Sequence, residues 1–451
     1  MKLSENLMKF LNKSLAISFA VFTPLIVAVG AYYMTVVTPI LLIVATIFVV
    51  VLVALDKING KLLYIYLFGI ALAFLWQTTM LGADVVGSDI HIEYYFARVN
   101  YSQPWDLTYP DSSNTSIVIG LIAPWLSRLL MVDMLWIFKL VLPVFLACMP
   151  LVLFKTFKIM FGEKRAFFAT IFFLIIPVYS MEIAQIAKSM VAELFFALMI
   201  LGVASSWKWQ YKLLGITGSL IMMVVTHYTI AIMGICFLIG AFGVRLVTVP
   251  FKWELFKVRT TPVFVLFISL IIGVSSFWLY HGYAANASGV RSIKEVGSGI
   301  ATQYLPKPKP DATATSDGVT ATSEPRVKPI TEKMDNSPKL VKIGTGFDFD
   351  EVPADGKVFR IIQYFTQLLI LIGGGWLLYK YKYYKPSVEY LGFATAAFLL
   401  LLMCIFIPSV AIIINMTRFY HLSLFFLAPC FVLGVEAISN FRREKDEKVI
   451  I

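Results

Sequence analysis

SIVIGLIAPWLSRLLM, residues 116–131, is the stretch on which the fold turns. It is apolar enough to enter a bilayer. Yet it carries Pro124, Trp125, Ser127 and Arg128, and only a short break separates it from the next apolar run. Whether it crosses decides on which side of a membrane every later loop falls.

Outward from it, the chain is greasy throughout. Of its 451 residues, 59% are hydrophobic and 14% charged, and the mean hydropathy is +0.81. This is the composition of an all-α polytopic membrane protein. A membrane β-barrel would show weaker alternating stretches of about ten residues, and these runs are continuous. The net charge of +11 would suggest nucleic acid in a soluble protein. Here the basic residues sit mostly between apolar runs, so topology and anionic membrane lipids account for them and no nucleic-acid partner is expected. Cys148, Cys236, Cys404 and Cys430 lie inside apolar runs, without metal-ligand or disulfide spacing. The first run lacks a following small-residue cleavage site and reads as a retained helix.

Twelve runs are long enough to cross: 13–33, 36–55, 62–80, 135–154, 165–181, 187–206, 211–227, 229–247, 261–282, 356–379, 388–412 and 419–438. Positive charge prefers the cytoplasmic side. If 116–131 does not cross, the basic loops sort to one side. These hold Lys155, Lys158, Lys164 and Arg165; Lys208 and Lys212; Arg245, Lys252, Lys257 and Arg259; Lys380, Lys382 and Lys385; and Arg442, Arg443, Lys445 and Lys448. If it crosses, they scatter. The reading is therefore about twelve transmembrane helices in a multi-pass cell-membrane protein. Both termini are cytoplasmic, and 116–131 is a re-entrant or surface helix on the extracytoplasmic face. Residues 1–282 form a first transmembrane region. Residues 283–355 form a long external loop whose Pro-, Thr- and Ser-rich middle buries too little surface to fold. Residues 356–451 supply the last helices and a short tail.

The same sorting places the segment 82–112 outside, with five acids against one arginine, Arg98. Within it, GSDIHIEYYFARV (87–99) holds Asp89, His91, Glu93, Tyr94 and Tyr95, and Trp105 follows. On a strand Asp89, His91 and Glu93 share a face; on a helix only Asp89 and Glu93 do. Other polar residues fall on the same side: Glu182, Gln185 and Lys188; His227 and Tyr228; Tyr280 and His281; Asn415, Arg418, Tyr420 and His421. All four histidines thus lie at outer helix ends. Each has a structural reading beside the functional one. Asp89 suits a helix N-cap and His227 a helix C-terminus. Arg418 and Lys188 suit snorkelling or a phosphate. The aromatics suit a membrane belt or a sugar platform.

The pattern resembles the GT-C superfamily of membrane glycosyltransferases, which use polyprenyl-phosphate-linked sugars. The resemblance rests on 87–99 as an acidic motif in an external loop. It rests also on the PWDLTYPDSSNTSIVIGLIAPWLSRLLMVDMLWIFKLVLPVF run that follows, on the basic FKIMFGEKRAFFAT turn, and on Arg418 in a late external turn. It spans about 60–440. The chain departs in having three runs before the acidic loop rather than one, no WWDYG-like motif, and no large C-terminal domain. The resemblance implies a GT-C-like external loop with surface helices and an extracytoplasmic active site. It also implies transfer of a hexosyl or pentosyl group, with inversion, from a polyprenyl-phosphate donor to a lipid, glycan or protein acceptor. Asp89 would deprotonate the acceptor, with Glu93 beside it as a second catalytic carboxylate. Arg418 and Lys188 would meet the donor phosphate. His91, Tyr94, His227, Tyr228 and His421 would contact substrate. A divalent cation (Mg, Mn or Zn) is left open, with Asp89 and His91 as its ligands. The chain is expected to act as a monomer. The rival readings are a transporter or flippase of lipid-linked glycans, with Glu193 as its mid-span charge, and a polysaccharide polymerase or ligase using Arg291 or Arg326. A structural subunit is the third.

Overall fold

A computed structural model of the chain describes residues 2–109, 111–248, 261–285, 349–350, 352–384, 386–406 and 416–449, with 289, 290 and 294. Among them there is no strand. The helices are α1 (Lys2–Tyr32), α2 (Val37–Ala54), α3 (Lys61–Thr79), α4 (Ser88–Ser102), α5 (Val118–Leu130), α6 (Met134–Phe161), α7 (Glu163–Ile175), α8 (Val178–Gln185) and α9 (Ala187–Ala204). Then follow α10 (Trp209–Thr226), α11 (Tyr228–Thr248), α12 (Val263–Ala284), α13 (Ala354–Tyr379), α14 (Val388–Phe406) and α15 (Met416–Val449). Most of the loop at 283–355, with its expected disorder, Arg291 and Arg326, lies outside the described residues, as do Asn415, Lys252, Lys257, Arg259 and Lys385.

Among the described residues nine helices are long and apolar enough to cross a membrane, and ten if α7 and α8, bent by 54° at Pro177, count as one span. The other two expected stretches are also helical: α10 and α14 fall short of the others in apolarity or length. The exposure pattern says what solvent these helices need. In α2 mean hydropathy is 3.0, yet only 28% of its span is buried. So large an apolar face in water would drive aggregation; in hydrocarbon it costs nothing, because the helix satisfies its own backbone groups. The chain is a polytopic α-helical membrane protein.

At the centre stands α9, 83% buried. Around it the helices approach closely where side chains are small. A Cβ at Gly373 of α13 would lie 1.7 Å from the Cys430 carbonyl oxygen, and one at Gly434 of α15 would lie 2.0 Å from that of Leu369. Only glycine lets these two backbones meet, the usual device where helices pack without a hydrophobic drive.

The helix α5 covers most of 116–131. It has 13 residues, about 20 Å at 1.5 Å per residue, against a hydrocarbon core of about 30 Å. It is too short to cross.

The two ends of the bundle differ. At one end Arg165 makes a bidentate pair with Glu436 (2.7 and 2.8 Å), Lys164 meets Asp56 at 3.0 Å, and Lys212 donates to Thr261. At the other end α4, α5 and the starts of α9, α11 and α15 gather.

Candidate functional site

The site is built on the first turn of α4. The side chain of Asp89 does not cap that helix; Gly87 holds the N-cap position and no side chain closes it. Asp89 is instead an acid in the first turn, where the helix dipole favours negative charge. Its Oδ2 accepts from Nη2 of Arg418 at 3.0 Å, joining residues 329 positions apart. Arg418 rises from the start of α15, in the same turn as Thr417, which donates to Glu182 at 2.6 Å. The Asp89 and Arg418 side chains remain 45% and 32% exposed. A pair this open is worth about 0–1 kcal/mol, so a stronger anion can displace the carboxylate from the guanidinium. Nε of Arg418 is buried without a hydrogen-bond acceptor among the described residues, so the guanidinium is under-satisfied there.

One turn further along α4 lies Glu93, wholly buried. Its Oε2 accepts from the backbone N–H of Ala187 at 2.6 Å. Helix α9 has no side-chain cap of its own, so Glu93 caps it from a distance and satisfies one of its orphan donors. Oε1 lies 3.4 Å from Nζ of Lys188, which donates in turn to Ser113 at 3.2 Å. Burial pushes the Glu93 carboxyl up; Lys188 and the Ala187 N–H pull it down, and the Asp89 charge raises it again.

Beside Arg418 is a small cavity of about 20 Å³, lined by Ser189, Glu193, His227 and Thr229 among others. It has room for one water with several polar partners. His227 accepts from the Thr229 N–H at 3.3 Å through Nδ1. One turn below Arg418, Nε2 of His421 donates to Glu193 at 3.1 Å, both side chains being at most 1% exposed. Among the described residues His421 Nδ1 and the Tyr179 hydroxyl have no hydrogen-bond partner, and both are buried.

Asp89, Arg418, Glu93, Lys188 and His227 therefore come together. The others do not join them. His91 is exposed, and two residues along a helix turn it about 200° from Asp89, so the two cannot chelate one ion. Among the described residues no group of three or more His, Cys, Asp or Glu converges. The metal expectation at Asp89 and His91 is corrected by the helix itself. Tyr94 and Phe138 meet in a T-shaped contact, with Arg98 over the Tyr94 ring. The Tyr228 ring sits between those of His227 and His281, and His281 donates through Nε2 to the Val224 carbonyl at 2.8 Å. His421 belongs to the Glu193 pair. Glu93 exposes no atom and is held between the Ala187 N–H and the Lys188 ammonium.

Two polar groups went unread in the sequence. Lys139, 1% exposed, donates to the carbonyls of Leu81, Gly82 and Asp84 at 3.2, 2.8 and 2.6 Å, fixing the turn that leads into α4. Asn114 receives Nδ2 of Asn100 at 2.9 Å and donates to the Asp106 carbonyl at 2.6 Å, while its own carbonyl accepts from the Trp105 indole at 2.9 Å. Trp105 thereby lies over Gly120, where a Cβ would stand 2.1 Å from the ring. Gly120→Ala is expected to displace the indole and destabilise the fold by about 1–3 kcal/mol; denaturant unfolding of the purified protein checks this, and an unchanged midpoint would show the ring free to move.

Residues 350–448 match a family model described as a predicted membrane protein (DUF2206). The match covers α13, α14 and most of α15, including Arg418 and His421, but not α4. No curated protein matches the chain.

Proposed function

We propose that the chain is a glycosyltransferase that moves a sugar from a polyprenyl-phosphate donor to a hydroxyl acceptor on the extracytoplasmic face of the cell membrane. In this reading the chain crosses twelve times, α7 with α8 counting as one crossing, and α5 rests at the surface. The end bearing Arg165, Lys164 and Lys212 is cytoplasmic because positive charge is retained there. The end bearing Asp89 then faces outward, where no nucleotide sugar is available and the donor is lipid-borne. The observation that carries the proposal is the open Asp89–Arg418 pair: a cation suited to phosphate beside a carboxylate suited to a hydroxyl, at one end of a membrane bundle.

The chemistry follows from that pair. The donor phosphate takes the Arg418 guanidinium, which binds phosphate with parallel N–H bonds. Asp89 is released from its partner and accepts the acceptor hydroxyl's hydrogen bond. As the acceptor oxygen attacks the anomeric carbon, its proton passes to Asp89. The bond from the anomeric carbon to the phosphate oxygen breaks, and the electron pair stays on the phosphate. Arg418 stabilises that developing charge. Direct displacement inverts the anomeric centre. Glu93 and Lys188 hold α4 against α9 and so set the position of Asp89.

The test is transfer by membranes containing the chain, supplied with a polyprenyl-phosphate donor carrying a labelled sugar. Label is expected to move into an acceptor fraction. Transfer no greater than in membranes lacking the chain, across hexosyl and pentosyl donors, would end the proposal.

One observation favours a second reading. The Glu193–His421 pair is buried inside membrane-spanning helices, the kind of group that marks ion or proton paths. A transporter or flippase of lipid-linked glycans would depend on it. Under the transferase reading Glu193→Gln leaves transfer within about tenfold of wild type, because the glutamine still accepts from His421. Loss of lipid-linked glycan movement in vesicles, with transfer absent from the wild type, would favour transport.

A further inference from the structure

Away from the Asp89 end of α4, a cleft of about 750 Å³ opens between the last turns of α4 and α5 and the start of α6. Arg98 and Arg128 both line it, with Ser102, Ser127, Met131 and Asp133 among the other walls. Arg98 is exposed and stands over the Tyr94 ring at 5.8 Å. Arg128 stands over the Tyr101 ring at 4.8 Å and donates to the Tyr101 carbonyl. Among the described residues neither guanidinium has a carboxylate within 4.0 Å. Asp133 is the one acid in the wall, and its Oδ1 is already taken by the Leu135 N–H at 2.8 Å as the cap of α6. The cleft therefore holds two arginine charges against one carboxylate, and beyond the Tyr94 hydroxyl for Arg98 and the Tyr101 carbonyl for Arg128 each five-donor fork has N–H groups to spare. The start of α6, a helix of 28 residues, adds the positive end of its dipole.

The rim says what brings the anion. Along α5, Leu121, Trp125 and Leu129 recur every four residues and are 51%, 56% and 56% exposed. Leu130 beside them is 47% exposed and Met131, at the mouth of the cleft, 93% exposed. A helix too short to cross, with an apolar stripe facing out, lies in the membrane interface. That places the two guanidiniums at head-group depth with acyl-chain surface alongside. Their ring contacts also pre-position them, which lowers the ordering cost of binding.

We propose that this cleft binds the phosphate of an anionic phospholipid, with its chains against Met131 and the Leu121–Trp125–Leu129 stripe. The site is separate from Asp89 and Arg418 and does not depend on the transferase reading. The full chain, purified in neutral detergent, is titrated with phosphatidylglycerol and with phosphatidylcholine, and bound lipid is read by native mass spectrometry. Phosphatidylglycerol is expected to bind in preference. Arg98→Gln and Arg128→Gln each weaken it about fivefold and together about 25-fold, as charges near a membrane surface do. Lys382→Gln, exposed at the opposite end, leaves it unchanged. Excess inorganic phosphate does not displace the lipid, because the chains contribute. Where loss of the Arg128 bond to Tyr101 prevents folding, Met131→Glu replaces an exposed side chain, spares both arginines and weakens binding by charge and by loss of apolar contact. Unchanged binding in the double variant or in Met131→Glu, or an equal loss in Lys382→Gln, overturns the site. Full displacement by inorganic phosphate overturns the lipid and leaves a soluble anion.

Discussion

Under the proposed transfer reaction, Asp89→Asn is expected to lower turnover by roughly 10²–10⁴-fold, the usual contribution of a general base. Asparagine matches aspartate in size and still accepts from Arg418 through its carbonyl oxygen. What it loses is the ability to take the acceptor proton. Stability should hardly move, since the side chain is 45% exposed and the pair open, and such pairs contribute about 0–1 kcal/mol. The two kinetic constants separate the proposal from a structural role. With the carboxylate gone, Arg418 no longer divides its charge between Asp89 and the incoming phosphate, so the donor KM falls or stays level while kcat collapses. A residue that merely held the fold would lower both activity and the folded fraction. Steady-state transfer at several donor concentrations, alongside an unfolding curve, reads all three quantities. A variant that transfers at the wild-type rate removes Asp89 from the chemistry and, with it, the main support for the transferase reading.

How far the sequence carried this site can be judged residue by residue. Every apolar run long enough to cross has a helix in the structure, because hydrophobic length is a local property. Asp89 and Arg418 were each conspicuous as a charge against an apolar background. Their pairing was not legible: it joins residues 329 positions apart, and no local pattern encodes that meeting. Glu93 stood out as a carboxylate, but helix and strand were both open for 87–99. The helix shows in burial at Ile90, Glu93, Ala97 and Asn100, and it is this same spacing that sends His91 away from Asp89. His421 reads as an end-of-helix residue because the sorting of basic loops puts the turn before α15 on the outer side; its partner Glu193 comes from another helix and draws it inward. Lys139 is a lone charge inside an apolar run. Its partners are three backbone carbonyls, which leave no mark in side-chain sequence.

Glu93→Ala is expected to destabilise the protein by about 3–5 kcal/mol, because it removes one partner of a buried pair and leaves the other uncompensated. The Lys188 ammonium then faces only Ser113, and the Ala187 N–H loses its acceptor at the start of α9. The double variant Glu93→Leu with Lys188→Met distinguishes a paired charge from a packing defect. Removing both charges for apolar side chains of similar volume is often neutral or better, so it should recover much of what Glu93→Ala loses, the uncapped Ala187 N–H excepted. Glu93→Gln supplies the pH arm. Burial raises the Glu93 carboxyl above its usual value of 4.5. Below that value the carboxyl is protonated in both states and contributes no slope. As pH rises past it, the unfolded chain releases the proton first while the folded chain keeps it, so this contribution to stability falls. It levels off once pH has passed the raised folded value. Glutamine cannot titrate, yet it can still accept from Ala187, so Glu93→Gln should lack this fall while remaining folded. Denaturant midpoints at a series of pH values from acid to neutral compare the three variants. The same slope in Glu93→Gln as in wild type would assign the titration to another group. A double variant as unstable as Glu93→Ala would mean that capping α9, not charge pairing, is what Glu93 contributes. Either way the transfer rate of Glu93→Gln should stay far above that of Asp89→Asn. A side chain with no exposed atom acts on the acceptor only through the carboxylate one turn before it on α4.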